Sequence, residues 1–167
     1  MLKIESFENF DQLNDSTFCL PPHGRSRATE AFELFDELHG SRYQYPDAIP
    51  QQRINMIYRE HGNHNWWIAR DTRSREVPLP GVAVVENITH IDRAYIHGLV
   101  VARERRDLSI GSQLLEAIED YTKTELKLSV LALHAIVDTV PFYEKRGFEK
   151  TGTTSSSPKV PMVKYLH

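Results

Sequence analysis

The chain is short of cysteine, of long apolar runs and of excess positive charge, and each shortage removes a class of protein. Cys19 is the one cysteine in 167 residues. No internal disulfide can form, and a reducing compartment is expected. No apolar stretch is long enough to cross a bilayer, so no membrane partner is expected. The first residues, MLKIESFENF, lack the apolar run of a secretory signal, and a cytoplasmic location is expected. The Asn87-Ile88-Thr89 sequon should then be idle. Twenty basic against 23 acidic residues leave a formal charge of −3, which gives no bulk attraction for nucleic acid. Neither the Gly-Lys-Ser/Thr of a P-loop nor the G-x-G-x-x-G of a dinucleotide fold occurs. His61 and His64 in HGNH flank a helix end and are expected to have no third ligand nearby, so no metal is expected.

What remains is the composition of a soluble domain, 40% hydrophobic and 26% charged, and the length suits one domain over residues 1–167. LKIESF is a candidate first strand. Ser26 is a candidate N-cap for a helix whose Ala28, Ala31, Phe32, Phe35 and Leu38 share a face, ended by Gly40. A second helix is expected from Pro50, with Ile54, Ile57 and Tyr58 inward and Gly62 as its stop. NWWIARD, LPGVAVVENIT and DRAYIHGLVVAR predict three strands. A long helix follows from Ser109, with Ile110, Leu114, Leu115, Ile118 and Tyr121 on one face. VLALHAI predicts a buried strand, in which His134 is expected to be structural. VPFYEKRG predicts a short helix stopped by Gly147. FEKTG and VPMVKYL predict a closing strand pair. This order is α/β: a mixed, mostly antiparallel sheet flanked by helices.

The segment RRDLSIGSQLL, Arg105 to Leu115, places arginines and small residues at a loop-to-helix junction. A helix N-terminus offers N–H groups and a favourable dipole to an anion. Ser109, Gly111 and Ser112 allow close approach, and Arg103, Arg105 and Arg106 add donors suited to phosphate. The plainer alternative is a solvated loop.

Two motifs in order favour the anion site. Val101-Ala102-Arg103-Glu104-Arg105-Arg106, continuing through Asp107-Leu108-Ser109-Ile110-Gly111, resembles the acetyl-CoA motif of the GNAT N-acetyltransferases. PFYEKRGF, Pro141 to Phe148, resembles their Phe-Tyr-Glu-Lys-x-Gly-Phe. The resemblance covers residues 64–150, and YIHGLVV with DTVPFYEKRGF is similar to the arylalkylamine members. Three departures stand out. Arg103 replaces a common proline, Ser109 a glycine, and Ile136 lies near the place of a missing asparagine. Asp107 also sets a carboxylate beside a polyanion and is expected to face solvent.

The resemblance implies a single GNAT-type domain transferring acetyl from acetyl-CoA to a primary amine, small molecule or peptide, by direct attack in a ternary complex. It implies that backbone groups of Leu99, Val100 and Val101 pair with the pantetheine arm. The N–H groups of Asp107, Leu108, Ser109, Ile110, Gly111 and Ser112, with Arg106, would hold the pyrophosphate. Tyr143 takes the place of a general acid near the thioester sulfur. His97 shares a strand face with Tyr95, Leu99 and Val101 and is the candidate general base. A free histidine titrates at ~6.5, which suits that task. Glu86, on the preceding strand, is the alternative base. Glu30, Glu33, Asp36 and Glu37 are expected on a solvated helix face, where they or Tyr43 and Tyr45 would otherwise meet a cationic acceptor. A non-catalytic CoA-binding sensor or partner module is the rival reading, a cofactor-free interaction protein a third, and a homodimer is left open.

Overall fold

Alternation of apolar residues sets most of the strands where the sequence predicts them. The computed structural model describes residues 1–15, 27–37, 51–73, 79–152 and 158–167. The strands are β1 (Leu2–Phe7), β2 (Asn65–Asp71), β3 (Gly81–Ile88), β4 (Arg93–Val101), β5 (Val130–Ile136), β6 (Glu149–Lys150) and β7 (Lys159–Tyr165). The helices are α1 (Phe10–Asp15), α2 (Arg27–Asp36), α3 (Gln51–His61), α4 (Ile110–Thr124) and α5 (Val140–Glu144). The strand order is β1-β2-β3-β4-β5-β7-β6. β1–β2, β2–β3, β5–β7 and β6–β7 pair antiparallel, and β4–β5 is parallel. No helix among the described residues is long and apolar enough to cross a membrane.

The chain divides into two compact units, residues 1–85 with 98–116, and residues 86–97 with 117–167. In the first, the core gathers around Trp66, which is fully buried. Phe10 and Phe32 stack at 3.9 Å, and Phe10, Phe32 and Phe35 meet the Trp66 indole edge-on at 5.2–5.6 Å between centroids. Such contacts add to the gain from area burial. The indole N–H donates to the His61 carbonyl at 3.0 Å, so the ring that fills the core also satisfies the end of α3.

Three expectations change. Helix α1 is absent from the sequence reading, although Asn9-x-x-Gln12 has the form of a capping pair. Asn9 Oδ1 accepts the Gln12 N–H at 2.8 Å, and Gln12 Oε1 accepts the Glu8 N–H at 2.6 Å. Tyr58 does not point inward. It sits one residue round the helix from buried Ile57, is 45% exposed, and its hydroxyl donates to the Asp11 carboxylate at 3.1 Å. The acidic residues of α2 do not form a solvated face, because none of its ten residues is exposed. Glu30 pairs with buried Arg27 at 2.6 Å, and buried Asp36 with Arg53 at 2.6 Å. Burial of these acids is tolerable only with such partners. Ser26, Leu38, Gly40, Tyr43, Tyr45 and Pro50 lie outside the described residues.

The second unit holds Ala94, Ile96, Ile118, Leu131, Leu133, Phe148 and Met162 in its interior. β4 and β5 run in register from Arg93–Val130 to Ile96–Leu133. β5 then pairs along its whole length with β7, from Val130–Tyr165 to Ile136–Lys159. Gly147 has φ +84, the left-handed conformation in which the expected glycine stop after α5 is at home.

In the first unit, Gly81 lets α4 approach the start of β3. A Cβ there would lie 2.9 Å from Leu114 Cδ1, 3.0 Å from Ile110 Cγ2 and 3.3 Å from the Val100 carbonyl oxygen. Gly81→Ala is expected to lower the unfolding free energy by about 1–3 kcal/mol in urea titration. The control Gly152→Ala meets nothing nearer than 3.9 Å and should leave the midpoint in place. Equal midpoints for the two variants would refute the close-packing account of Gly81.

Candidate functional site

The candidate anion seat is built from the end of β4 upward, within the first unit. After Val101 the chain winds through a tight 3-10 segment, Arg103–Leu108, begun by the Arg105 N–H donating to the Ala102 carbonyl at 2.8 Å. Ser109 then takes the left-handed conformation, φ 58 and ψ 18, and α4 starts at Ile110. The first bond of the helix runs from the Gln113 N–H to the Ser109 carbonyl at 3.0 Å. The N–H groups of Ile110, Gly111 and Ser112 lie ahead of it and have no carbonyl of the same helix to donate to. Arg106 is exposed, and its Nε donates to the Val101 carbonyl at 3.3 Å, which ties the guanidinium to the strand end. Leu108 is 54% exposed beside them. The expected orientation of Asp107 concerns a side chain outside the described residues. Backbone N–H donors, small residues and a tethered guanidinium suit an oligophosphate.

The left-handed φ at Ser109 is one that glycine adopts freely. A serine there holds the same turn at some cost in conformational energy.

Within the second unit, two clusters of polar side chains stand out. Tyr143 on α5 is buried, 8% exposed, with its ring edge-on to Phe148 at 5.6 Å and to Phe142 at 5.0 Å. Burial pushes its phenol up to about 12, against the opposing pull of the Arg146 charge. Arg146 itself donates to the Phe142 carbonyl at 2.7 Å and lies 3.7 Å over the Phe142 ring. Tyr143 therefore stays protonated throughout the neutral range.

The other cluster runs across β3, β4 and β5. His97 Nε2 lies 2.8 Å from Glu86 Oε2, both side chains being partly exposed. The two residues weighed as rival bases are thus a hydrogen-bonded pair. An ionised carboxylate only accepts, so Nε2 carries the proton and Nδ1 is the basic nitrogen of neutral His97. The Tyr95 ring meets the His97 ring edge-on at 4.8 Å. The Tyr95 hydroxyl is hydrogen-bonded to Nδ1 of His134. His134 is exposed on β5, although most of the strand around it is buried. β5 alternates, and His134 falls on its open face between buried Leu133 and Ala135. Burial and the Glu86 charge both raise the Tyr95 phenol, so it too is held neutral.

The histidines of HGNH and the end of β4 complete the candidates. In the first unit, His61 and His64 approach each other through their Nδ1 atoms at 3.2 Å, which requires one to donate and the other to accept. His61 is buried against Phe35, with ring centroids 5.2 Å apart. Leu99, Val100 and Val101 form the end of β4, with Val100 buried and its neighbours less so. Sequence reasoning missed the contact of Tyr95 with His97 and of His134 with Tyr95. The signal was there in the register: Ile96 opposes Leu133, and the next residue on each strand is a histidine.

A family model described as an acetyltransferase (GNAT) domain matches residues 47–166. No curated protein matches the sequence significantly. Among solved structures, an acyl-CoA N-acyltransferase from Pseudomonas aeruginosa is 16% identical, with TM-score 0.68, covering 98% of this chain and 99% of its own. The ribosomal-protein-S18-alanine N-acetyltransferase of Escherichia coli is 15% identical, with TM-score 0.63 and coverage of 99% and 94%. The spermidine/spermine N-acetyltransferase of Vibrio cholerae is 16% identical, with TM-score 0.63 and coverage of 99% and 95%. At such identities the likeness is one of fold.

Replacing Ser109 by glycine should release the cost of its left-handed backbone. Ser109→Gly is expected to raise the unfolding free energy by about 1 kcal/mol, the looser unfolded chain offsetting part of the gain. Ser109→Val should lower it. A urea midpoint that falls in the glycine variant would contradict the assigned conformation.

Proposed function

Because the chain belongs to the GNAT acetyltransferase family, we propose that it transfers an acetyl group from acetyl-CoA to a primary amine by direct attack in a ternary complex. The acceptor is a small molecule or a peptide amine. The observation that carries the reading is the 2.8 Å pairing of His97 Nε2 with Glu86, a base held in one tautomer by a carboxylate.

Acetyl-CoA supplies the acetyl group as an activated thioester. The donor set at the start of α4 fits its phosphates: N–H groups from Asp107 to Ser112, with the Arg106 guanidinium. Backbone groups of Leu99, Val100 and Val101 are assigned to the pantetheine arm, in the manner of an added strand. His97 Nδ1 takes the proton of the acceptor ammonium, directly or through water. Glu86 compensates the charge that this creates on the imidazole. Tyr143 was expected to act as a general acid. A phenol at about 12 faces a thiol of ~8.5, so complete transfer from it to the departing sulfur is uphill. Tyr143 is instead assigned a hydrogen bond to that sulfur; when the C–S bond breaks, the thiolate takes the second proton of the attacking nitrogen, directly or through water, and leaves as free CoA.

Ser109 holds a left-handed φ of 58, a conformation open to glycine, so the turn into α4 forms with a serine in place.

Thiol release from acetyl-CoA across pooled amines tests the activity. Initial rates should give intersecting lines, as a ternary complex requires, and parallel lines would replace it with a covalent route. His97→Ala is expected to lower kcat by about 10²–10⁴-fold. Tyr143→Phe should lower it by about 10-fold or more, with little change in KM for acetyl-CoA. Silence from every pool, with acetyl-CoA still raising Tm, would favour the sensor module. Separately, the ultraviolet titration of the protein minus that of Tyr143→Phe should show one phenol with a midpoint at about 12. A midpoint near the ordinary value of 10.0 would remove the argument against full proton transfer.

A further inference from the structure

We propose that Tyr95 and His134 are positioning residues for His97, forming a side-chain brace that holds the imidazole in the orientation set by Glu86. The proposal rests on the assignment of His97 as base. All four residues belong to the second unit.

A hydrogen bond to Glu86 anchors Nε2 of His97, and a pivot of the ring about that bond is the motion a brace has to resist. Swinging the ring would move Nδ1, the atom that must meet the acceptor. The Tyr95 ring closes off that motion. It stands edge-on to the His97 ring, with an interplanar angle of 68° and centroids 4.8 Å apart. An aromatic edge against an aromatic face is the favoured arrangement of such pairs. A tyrosine on an open strand face would itself be free to change rotamer. Its hydroxyl is fastened at the far end, to Nδ1 of His134.

The register of β4 and β5 makes this brace geometrically natural. Tyr95 opposes Ala132, whose small side chain leaves the space above β5 open. His134, two residues further along β5, projects from the same face and reaches back to the Tyr95 hydroxyl. The rings of Tyr95 and His134 lie 5.8 Å apart, so the contact is between their polar tips, not their faces. The hydrogen bond survives either state of His134. Neutral Nδ1 accepts from the phenol, and a protonated ring donates to it.

Positioning differs from direct participation in what it predicts. Neither Tyr95 nor His134 is asked to exchange a proton with substrate. Loss of the hydroxyl or of the imidazole removes one and the same bond. Their effects on kcat must then be non-additive.

The test uses the full chain with three variants, Tyr95→Phe, His134→Ala and the two combined, beside His97→Ala. Long-range nitrogen spectra of ring-labelled histidine report the tautomer of His97 without any substrate. In the parent the two His97 nitrogens should be well separated, with the proton on Nε2. Each of the three variants should draw the two signals together. In thiol-release kinetics with the amine pool that reacts, each single variant should lower kcat about 3–10-fold at constant KM. The double variant should be no worse than the poorer single. Additive losses, a change confined to the KM for the amine, or parent-like spectra in every variant would each overturn the brace. If His97→Ala keeps the parent kcat, the base assignment itself falls, and the brace with it. If His97→Ala is inactive while Tyr95→Phe and His134→Ala match the parent in both readouts, the brace alone falls. Tyr95→Leu, which removes the ring, should exceed Tyr95→Phe in both effects. An equal response of the two would also count against a ring that braces.

Discussion

Strand β4 has to serve two surfaces at once, and its period of two is the constraint from which the site follows. Ala94, Ile96 and Val100 face the interior and are buried, while Tyr95, His97, Leu99 and Val101 take the more open side. A one-residue slip would bury His97 and expose Ile96, so the apolar side chains that hold the strand also set which face the histidine occupies. The interior side is fixed by area burial, worth roughly 25 cal/mol per Å² of apolar surface. The functional side inherits that precision without having to generate it. Polar groups on it are then free to pair with one another, as His97 does with Glu86.

A second requirement is a close approach of helix and strand at the start of α4. Gly81 provides the room, and Ile110 and Leu114 occupy it. The turn into this helix needs a left-handed residue, which Ser109 supplies. Both positions are places where backbone geometry outranks side-chain chemistry. The donors offered to an anion at this junction are main-chain N–H groups, so the identity of the side chains matters less than the shape of the turn.

The sequence carried the strands and α2 to α5 plainly, because apolar periodicity marks them and Gly62 and Gly147 follow α3 and α5. LKIESF, NWWIARD and VLALHAI match β1, β2 and β5 residue for residue. Helix α1 was harder to see, because six residues give only Phe10 and Leu13 as buried positions, too few for a period. The misplacement of Tyr58 has the same origin. A polar helix with a narrow apolar stripe does not tell which neighbour of the stripe is covered. The acids of α2 look solvated in sequence because their partners are either three residues away, as Arg27 is from Glu30, or on another helix, as Arg53 is. The candidate site divides in the same way. Tyr143 and the helix junction lie in contiguous motifs and were legible. The pairing of Glu86 with His97, and of Tyr95 with His134, depends on strand register, which no single segment encodes.

The second unit also gives the two groups proposed to handle protons different surroundings. Tyr143 is buried among Phe142, Phe148 and the cation of Arg146, and its phenol resists ionisation. His97 is partly exposed and faces a carboxylate, which accepts its Nε2 proton and leaves the other nitrogen basic. Their environments differ in the direction their proposed tasks require: one group must not lose its proton, the other must be ready to gain one. Neither outcome needs an unusual residue. A tyrosine becomes a durable hydrogen-bond donor by losing water. A histidine becomes a candidate oriented base by pairing with a carboxylate. Exchanging the two surroundings would defeat both tasks, since a buried imidazole without Glu86 would resist protonation, and an exposed phenol would hold its hydroxyl in no fixed direction.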